Sequence, residues 1–320
     1  MKRKVLLQLV VPLLSLCVLF LLLTVDPVRT GQPQQLLEIS VLYRQSDASA
    51  WSVTRQGMEQ AAVDLNAELR FLTPAGEDLA AEQAELLSRE ADTGTDAVLL
   101  FPADREALAD TVRRITAAGT PVVTLETDLS DAGAYACIGA DNTALGQALG
   151  TAALNGAPEG ALVVLLDTSG GVTGMDDRVR AAEAVLKGAD RRVYRCIPVG
   201  EETLSVAMER TLAAMRPAAV VAFDAVDLEQ AAALLASRED APLLYGAGST
   251  ATVAAYLEQS TILSIAAQNE FAAGYLAVGA AVRAVRGQVY FQMEPLEFVL
   301  VRQENMYEPE NQKLLFPVTR

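Results

Sequence analysis

The sequence predicts an α/β protein of two doubly wound parallel-sheet lobes, preceded by one N-terminal transmembrane helix. Three observations predict it: a long apolar stretch behind a basic N-terminus, a sustained alternation of apolar runs with amphipathic segments, and more strand–helix units than one compact sheet accommodates. The apolar stretch runs from Val5 to Val25, interrupted only by Gln8, Pro12, Ser15 and Thr24. As a helix it is long enough for a hydrocarbon core of about 30 Å. Lys2, Arg3 and Lys4 ahead of it favour a cytoplasmic N-terminus and an exported remainder. The exit, Leu23-Thr-Val-Asp-Pro27, has no Ala-x-Ala pattern. An uncleaved anchor over residues 1–25 is therefore preferred, with cleavage the alternative. Residues 26–36, which hold two prolines and a glycine, read as a linker.

From Leu37 the elements follow in order. Leu37–Tyr43 reads as a strand and Trp51–Leu69 as an amphipathic helix; Leu69–Thr73 and Leu79–Ala91 make the next pair. Asp96–Pro102, Arg105–Ala118 and Pro121–Glu126 complete the first series. Apolar strands flanked by charged helices are what a parallel sheet covered on both faces requires, and its right-handed crossovers make it doubly wound. A second series starts with the strand Ala134–Gly139 and the helix Thr143–Leu154. Gly160–Asp167, Asp177–Lys187, Arg192–Val199, Glu202–Ala214, Ala218–Asp224 and Leu228–Ser237 continue it. Pro242–Gly246, Val253–Gln259, Ile262–Ala267, the helix Glu270–Arg286 and the strand Pro295–Val301 follow, before a polar tail. Two sheets of similar size fit this count better than one.

Composition narrows the chemistry. Leaving aside Lys2, Arg3 and Lys4, the chain has 22 basic against 41 acidic residues, a balance of −19. Such a field repels phosphate backbones, so no nucleic-acid partner is expected. With no histidine in the chain, Ser-His-Asp and Cys-His catalysis and the commonest zinc ligand are absent. No enzyme, no metal and no cofactor is expected. Cys17 lies in the apolar stretch; Cys137 and Cys196 lie in predicted strands, where free buried thiols are the ordinary case and a disulfide the alternative. The loop Thr168-Ser-Gly-Gly-Val-Thr-Gly174 lacks the lysine and spacing of a P-loop and reads as a cleft-edge loop. Asp141 and Asn142 read as caps of the helix that follows them.

The order of several segments resembles one family, the type I periplasmic binding proteins, in particular the ribose- and galactose-binding branch. The segments are Trp51-Ser-Val-Thr-Arg-Gln-Gly57, Thr95–Pro102, Gly119–Glu126, Ile138-Gly-Ala-Asp-Asn-Thr-Ala-Leu-Gly146, and Gln268 ahead of Ala272-Ala-Gly274. The resemblance covers Leu37 to Val301. It implies a three-strand hinge between lobes, with crossings near Ile138–Asp141, Ala267–Asn269 and 292–295. The N-terminal lobe is then 37–138 plus 268–291, and the C-terminal lobe 139–267 plus 292–320. Ligand is expected in the cleft at the carboxyl ends of both sheets.

The resemblance also implies a ligand set: Trp51, Glu126, Asp128, Asp176, Asp224 and Gln268. Trp51 falls where the family stacks an aromatic on a sugar ring, and a core residue at a helix start is the competing reading. Glu126 stands at a carboxylate that binds sugar hydroxyls, with Thr127 replacing the arginine that usually follows. Asp128 either shares that role or is a solvated loop carboxylate. Asp176 replaces a ligand arginine, two residues before Arg178, an arginine more often structural. Asp224 adjoins the usual asparagine site, here Ala225, and Gly248 replaces a ligand aspartate. The implied function is a membrane-anchored extracytoplasmic receptor for a small polar solute, a carbohydrate or related polyol. Its partner would be an ABC permease or a sensor histidine kinase in the membrane. The replaced ligands keep a second reading open, a non-binding structural partner of a membrane complex. Less favoured are a carboxylate enzyme built on Glu126 and Asp176 and a repressor, which would need a helix-turn-helix where the apolar stretch stands.

Overall fold

A computed structural model describes residues 36–44, 51–76, 78–170, 173–288 and 294–316. The expected anchor, residues 1–25, and all but the last residue of the linker lie outside the described residues. Among the described helices none is long and apolar enough to cross a membrane. Leu37–Arg320 form one compact unit containing two sheets.

The first sheet is built from β1 (Leu37–Leu42), β2 (Ala67–Leu72), β3 (Ala97–Leu100), β4 (Val122–Leu125) and β5 (Ala136–Ile138), in the order β2-β1-β3-β4-β5 and wholly parallel. Sequence explains position within it. Every side chain of β3 (AVLL) and β4 (VVTL) is buried, as in a strand covered on both faces. At the edge, β2 (AELRFL) alternates partly buried and exposed residues over its first four positions, with Glu68 and Arg70 pointing to water. The second sheet comprises β6 (Leu162–Leu166), β7 (Arg192–Cys196), β8 (Ala219–Ala222), β9 (Leu243–Ala247), β10 (Ser264–Gln268) and β11 (Phe298–Val301). Its order is β11-β10-β9-β8-β6-β7, and β11 alone runs antiparallel, against β10.

The chain crosses between the sheets where β5 ends, after which Ala140 bridges to Leu296. It returns after β10, because the helix Glu270–Val285 packs on the helix Ser52–Leu65 of the first sheet and shares its core. Glycine permits that approach: a side-chain carbon at Gly57 would stand 2.0 Å from the Phe271 carbonyl oxygen, and one at Gly274 would stand 1.9 Å from that of Thr54. The second lobe repeats the device. A carbon at Gly146, in the helix Asn142–Gly156, would stand 2.2 Å from the Arg178 carbonyl oxygen in the helix Gly174–Gly188.

The expected polar tail contains a short helix, Pro309–Leu315, that seats Asn311 and Leu315. Its seven residues bury only those two side chains, too few for a visible period. Cys196 is buried and Cys137 half-buried, and both are free thiols.

Candidate functional site

The carboxyl ends of both sheets converge on a cavity of about 50 Å³. Arg44 reaches it from the end of β1, and Trp51 from the residue before the helix Ser52–Leu65. Glu126 enters after β4, Asp224 after β8 and Gly248–Thr250 after β9. Gln268 closes β10, Glu270 opens the next helix, and Arg178 comes from the helix Gly174–Gly188. A second chamber of about 430 Å³ shares Arg44, Asp224 and Val226 with the first and adds Thr168, Thr173, Thr203, Asp227 and Gln230. Arg44 and Asp224 thus stand on the boundary between an inner and an outer part of the cleft.

The centre of the inner part is an ion pair. Arg44 Nη1 lies 2.7 Å from Glu126 Oε2, with both side chains largely out of water. The Arg44 guanidinium also lies 5.1 Å from the centroid of the Trp51 ring, a cation–π distance. Glu126 is held by an unusual backbone: its φ of 63° is in the left-handed region, which costs a non-glycine residue about 1–2 kcal/mol. Its amide donates to the Ile138 carbonyl (3.0 Å), and its own carbonyl accepts from Asn142 Nδ2 (2.7 Å). Next to it, Thr127 Oγ1 accepts from the Gly174 amide (3.1 Å), tying the hinge to the second lobe.

Electrostatics differ across the cavity. Burial opposes ionisation of Glu126, but Arg44 and Arg178 outweigh it and hold its carboxyl below the usual range. Burial also works against the charge on Arg44, and Glu126 and Asp224 more than compensate. Glu270 behaves otherwise. Burial and then the Glu126 charge push its carboxyl up to about 7, although Gln268 Nε2 (2.9 Å) and Thr54 Oγ1 (3.1 Å) donate to it. Burial raises Asp224 in spite of Arg44. Burial and the Asp224 charge raise Asp227 well above the ordinary value, even with Thr168 Oγ1 donating at 2.6 Å.

Of the residues expected from sequence, Trp51, Glu126, Asp224 and Gln268 line this cavity. The two readings of Trp51 coincide. It is buried among Tyr43 (5.9 Å between centroids) and Phe101 (4.5 Å) and also forms part of the cavity wall. Its indole Nε1 is buried without a hydrogen-bond partner among the described residues. Gln268 likewise does two things: its Oε1 accepts from the Ala140 amide at the hinge (3.1 Å), and its Nε2 orients Glu270. Asp224 also caps the helix Ala225–Leu235 by accepting from the Asp227 amide (2.8 Å).

Asp128 and Asp176 stand elsewhere. Asp128 is exposed and accepts from the Ser130 amide and hydroxyl, which makes it a turn cap. Asp176 is buried and turned to Arg180 (2.9 Å) and Arg195 (3.7 Å), away from the cavity. Two residues on, Arg178 faces the cavity, donating to Asn142 Oδ1 (2.7 Å) and the Phe223 carbonyl (2.8 Å). Residues two apart on a helix are about 200° apart around it, so both cannot face one cleft. Asp141 caps its helix as expected, whereas Asn142 is taken up with Glu126 and Arg178. Sequence reasoning missed Arg44 and Glu270 as cavity residues. Their signal is position alone, immediately after β1 and at the first turn after β10.

A family model, the periplasmic binding protein domain, matches residues 39–288, which span both sheets. The chain belongs to this family. Within the periplasmic binding proteins it has the type I architecture of two parallel-sheet lobes, and the family is one of binding proteins rather than enzymes. Among solved structures it is similar to an ABC transporter solute binding protein from Agrobacterium vitis with bound D-fucose, at 19% identity and a TM-score of 0.79 over 87% of this chain and 100% of that one. It is similar to GanP, a glucose-galactose binding protein from Geobacillus stearothermophilus, at 20% identity and a TM-score of 0.75 over 85% and 99%. A third is XylFII in the XylFII–LytSN complex, at 15% identity and a TM-score of 0.75 over 84% and 99%. At these identities the likeness is one of fold. A search of curated protein sequences finds no match.

Proposed function

We propose that this periplasmic binding protein is a membrane-anchored extracytoplasmic receptor that binds a small polar solute, a carbohydrate or related polyol, between its lobes. One observation carries the reading. The carboxyl ends of both sheets converge on a cavity that pairs an aromatic face, Trp51, with Glu126, Asp224 and Gln268. A sugar needs an apolar ring face to stack on and acceptors for vicinal hydroxyls, and the cavity offers both. Two neighbours of the same fold are described with D-fucose and as glucose-galactose binding, which supports the class of ligand. Binding stabilises the closed arrangement because ligand contacts both lobes only there. The closed lobes are then read by a membrane partner. Neighbours described as ABC transporter components support a permease, and the complex of XylFII with LytSN supports a second protein as receiver of the signal, such as a sensor histidine kinase.

A thermal-shift screen of residues 37–320 against sugars, polyols, nucleosides and amino acids tests the reading. A ligand raises the melting temperature in proportion to the logarithm of its excess over Kd. A sugar or polyol hit that Trp51→Ala and Gln268→Ala both remove is the expected result. A flat screen on a cooperatively melting protein would favour the non-binding structural role instead.

A further inference from the structure

Resting on the reading of the cleft as a solute site, we propose that its ligand is a polyol bearing a positively charged amine, whose ammonium replaces the Arg44 guanidinium. The geometry leads there in three steps.

The first is space. With Arg44 in place the inner cavity holds about 50 Å³. A cavity of roughly 150 Å³ is what takes a benzene-sized ring. Arg44 lines both chambers, so a six-membered ring reaching Trp51 has to move that side chain.

The second is what the guanidinium leaves behind. It sits over the Trp51 ring and on Glu126, with Asp224 near enough to stabilise its charge. Removing it strips a largely buried carboxylate of its cation, which is costly unless another positive charge arrives. A neutral hydroxyl restores one hydrogen bond. An ammonium restores the hydrogen bond, the charge and the cation–π contact together.

The third is the charge around the cavity. Glu126, Asp224, Asp227 and Glu270 face two guanidiniums, and Arg178 already spends Nε and Nη1 on Asn142 and the Phe223 carbonyl. Burial raises Asp224, Asp227 and Glu270, the neighbouring carboxylates add to it, and the two guanidiniums do not outweigh it. An anionic ligand would meet four carboxyls. Trp51, which lines the cavity, also has a buried indole Nε1 without a partner among the described residues.

Titration calorimetry of the full-length chain in detergent, with glucosamine, glucose and glucuronate as probes, separates the outcomes. Glucosamine is expected to bind at least tenfold more tightly than glucose, with no binding of glucuronate. Arg44→Gln, which removes the resident cation, should tighten glucosamine about tenfold, and Glu126→Gln should weaken glucosamine at least tenfold and by a larger factor than it weakens glucose. Both variants are first checked for a cooperative melt. Glucose or glucuronate binding as well as glucosamine overturns the cationic ligand and leaves the solute receptor standing. No heat from any probe, in wild type or Arg44→Gln, also overturns it, and the broader solute screen then decides the receptor reading separately.

Discussion

Two carboxylate-rich regions of this protein are built on opposite accounts of charge. Around the helix Gly174–Gly188 and β7, Asp167, Asp176, Asp177 and Glu183 meet Arg105, Arg180, Lys187 and Arg195, four acids to four bases. Arg195 alone reaches Asp167 (3.1 Å) and Glu183 (2.7 Å) and lies 3.7 Å from Asp176. In the cleft, Glu126, Asp224, Asp227 and Glu270 share Arg44 and Arg178. Burial works against ionisation in both places. In the matched network Lys187 and Arg195 still bring Glu183 below its ordinary range, and burial raises Asp176. In the cleft only Glu126, which holds Arg44, is lowered. Matched carboxylates hold the fold together, while a deficit of cations marks a surface prepared for something else.

The comparison can be broken at either end. Arg195→Leu should have the largest effect, a loss of about 2–3 kcal/mol, because it leaves buried Asp167 without its base and takes one of two bases from Asp176 and Glu183. Urea unfolding at pH 7 measures it, and an unchanged midpoint would mean the network is ornamental. Glu270→Gln should act in the opposite direction. A carboxyl raised to about 7 when folded retains a proton that the unfolded chain releases near 4.5. The wild-type contribution is thus complete below 4.5 and lost as pH rises through 7. The variant should gain about 1–3 kcal/mol at pH 8 and almost nothing at pH 4.5. Parallel unfolding curves at the two pH values decide it, and an equal effect at both would refute the assignment. Asp227→Asn keeps an acceptor for Thr168 and should give a gain in the same sense, read from the same pair of curves. Arg113→Ala, at an exposed pair with Asp110, should stay within about 0.5 kcal/mol and sets the floor of the series.

Much of this arrangement is legible in the sequence, and the unread part has a common cause. Strands buried on both faces declare themselves as largely apolar runs, which is why β3, β4, β6 and β8 were expected where they stand. Gln268 and Glu126 were named from the resemblance, and both stand at or just after the carboxyl end of a strand, where an open α/β sheet presents its site. The same rule covers Arg44, but an arginine after a strand has no pattern that separates a cleft cation from a solvated one. Asp176 and Arg178 show the second limit. Both lie within the first two turns of one helix, and only the docking of Gly146 against that helix fixes which face turns to the cleft. Rotation about a helix axis is decided by the neighbour, not by the residue itself.

The placement of Trp51 carries a practical consequence. It is the sole tryptophan of the chain, and its ring lies beneath the Arg44 guanidinium on the wall of the cleft. The protein is therefore its own optical instrument. Any occupant that displaces Arg44 exchanges one charged neighbour of the indole for another environment, and the emission of a single chromophore changes without a label or an assay for transport.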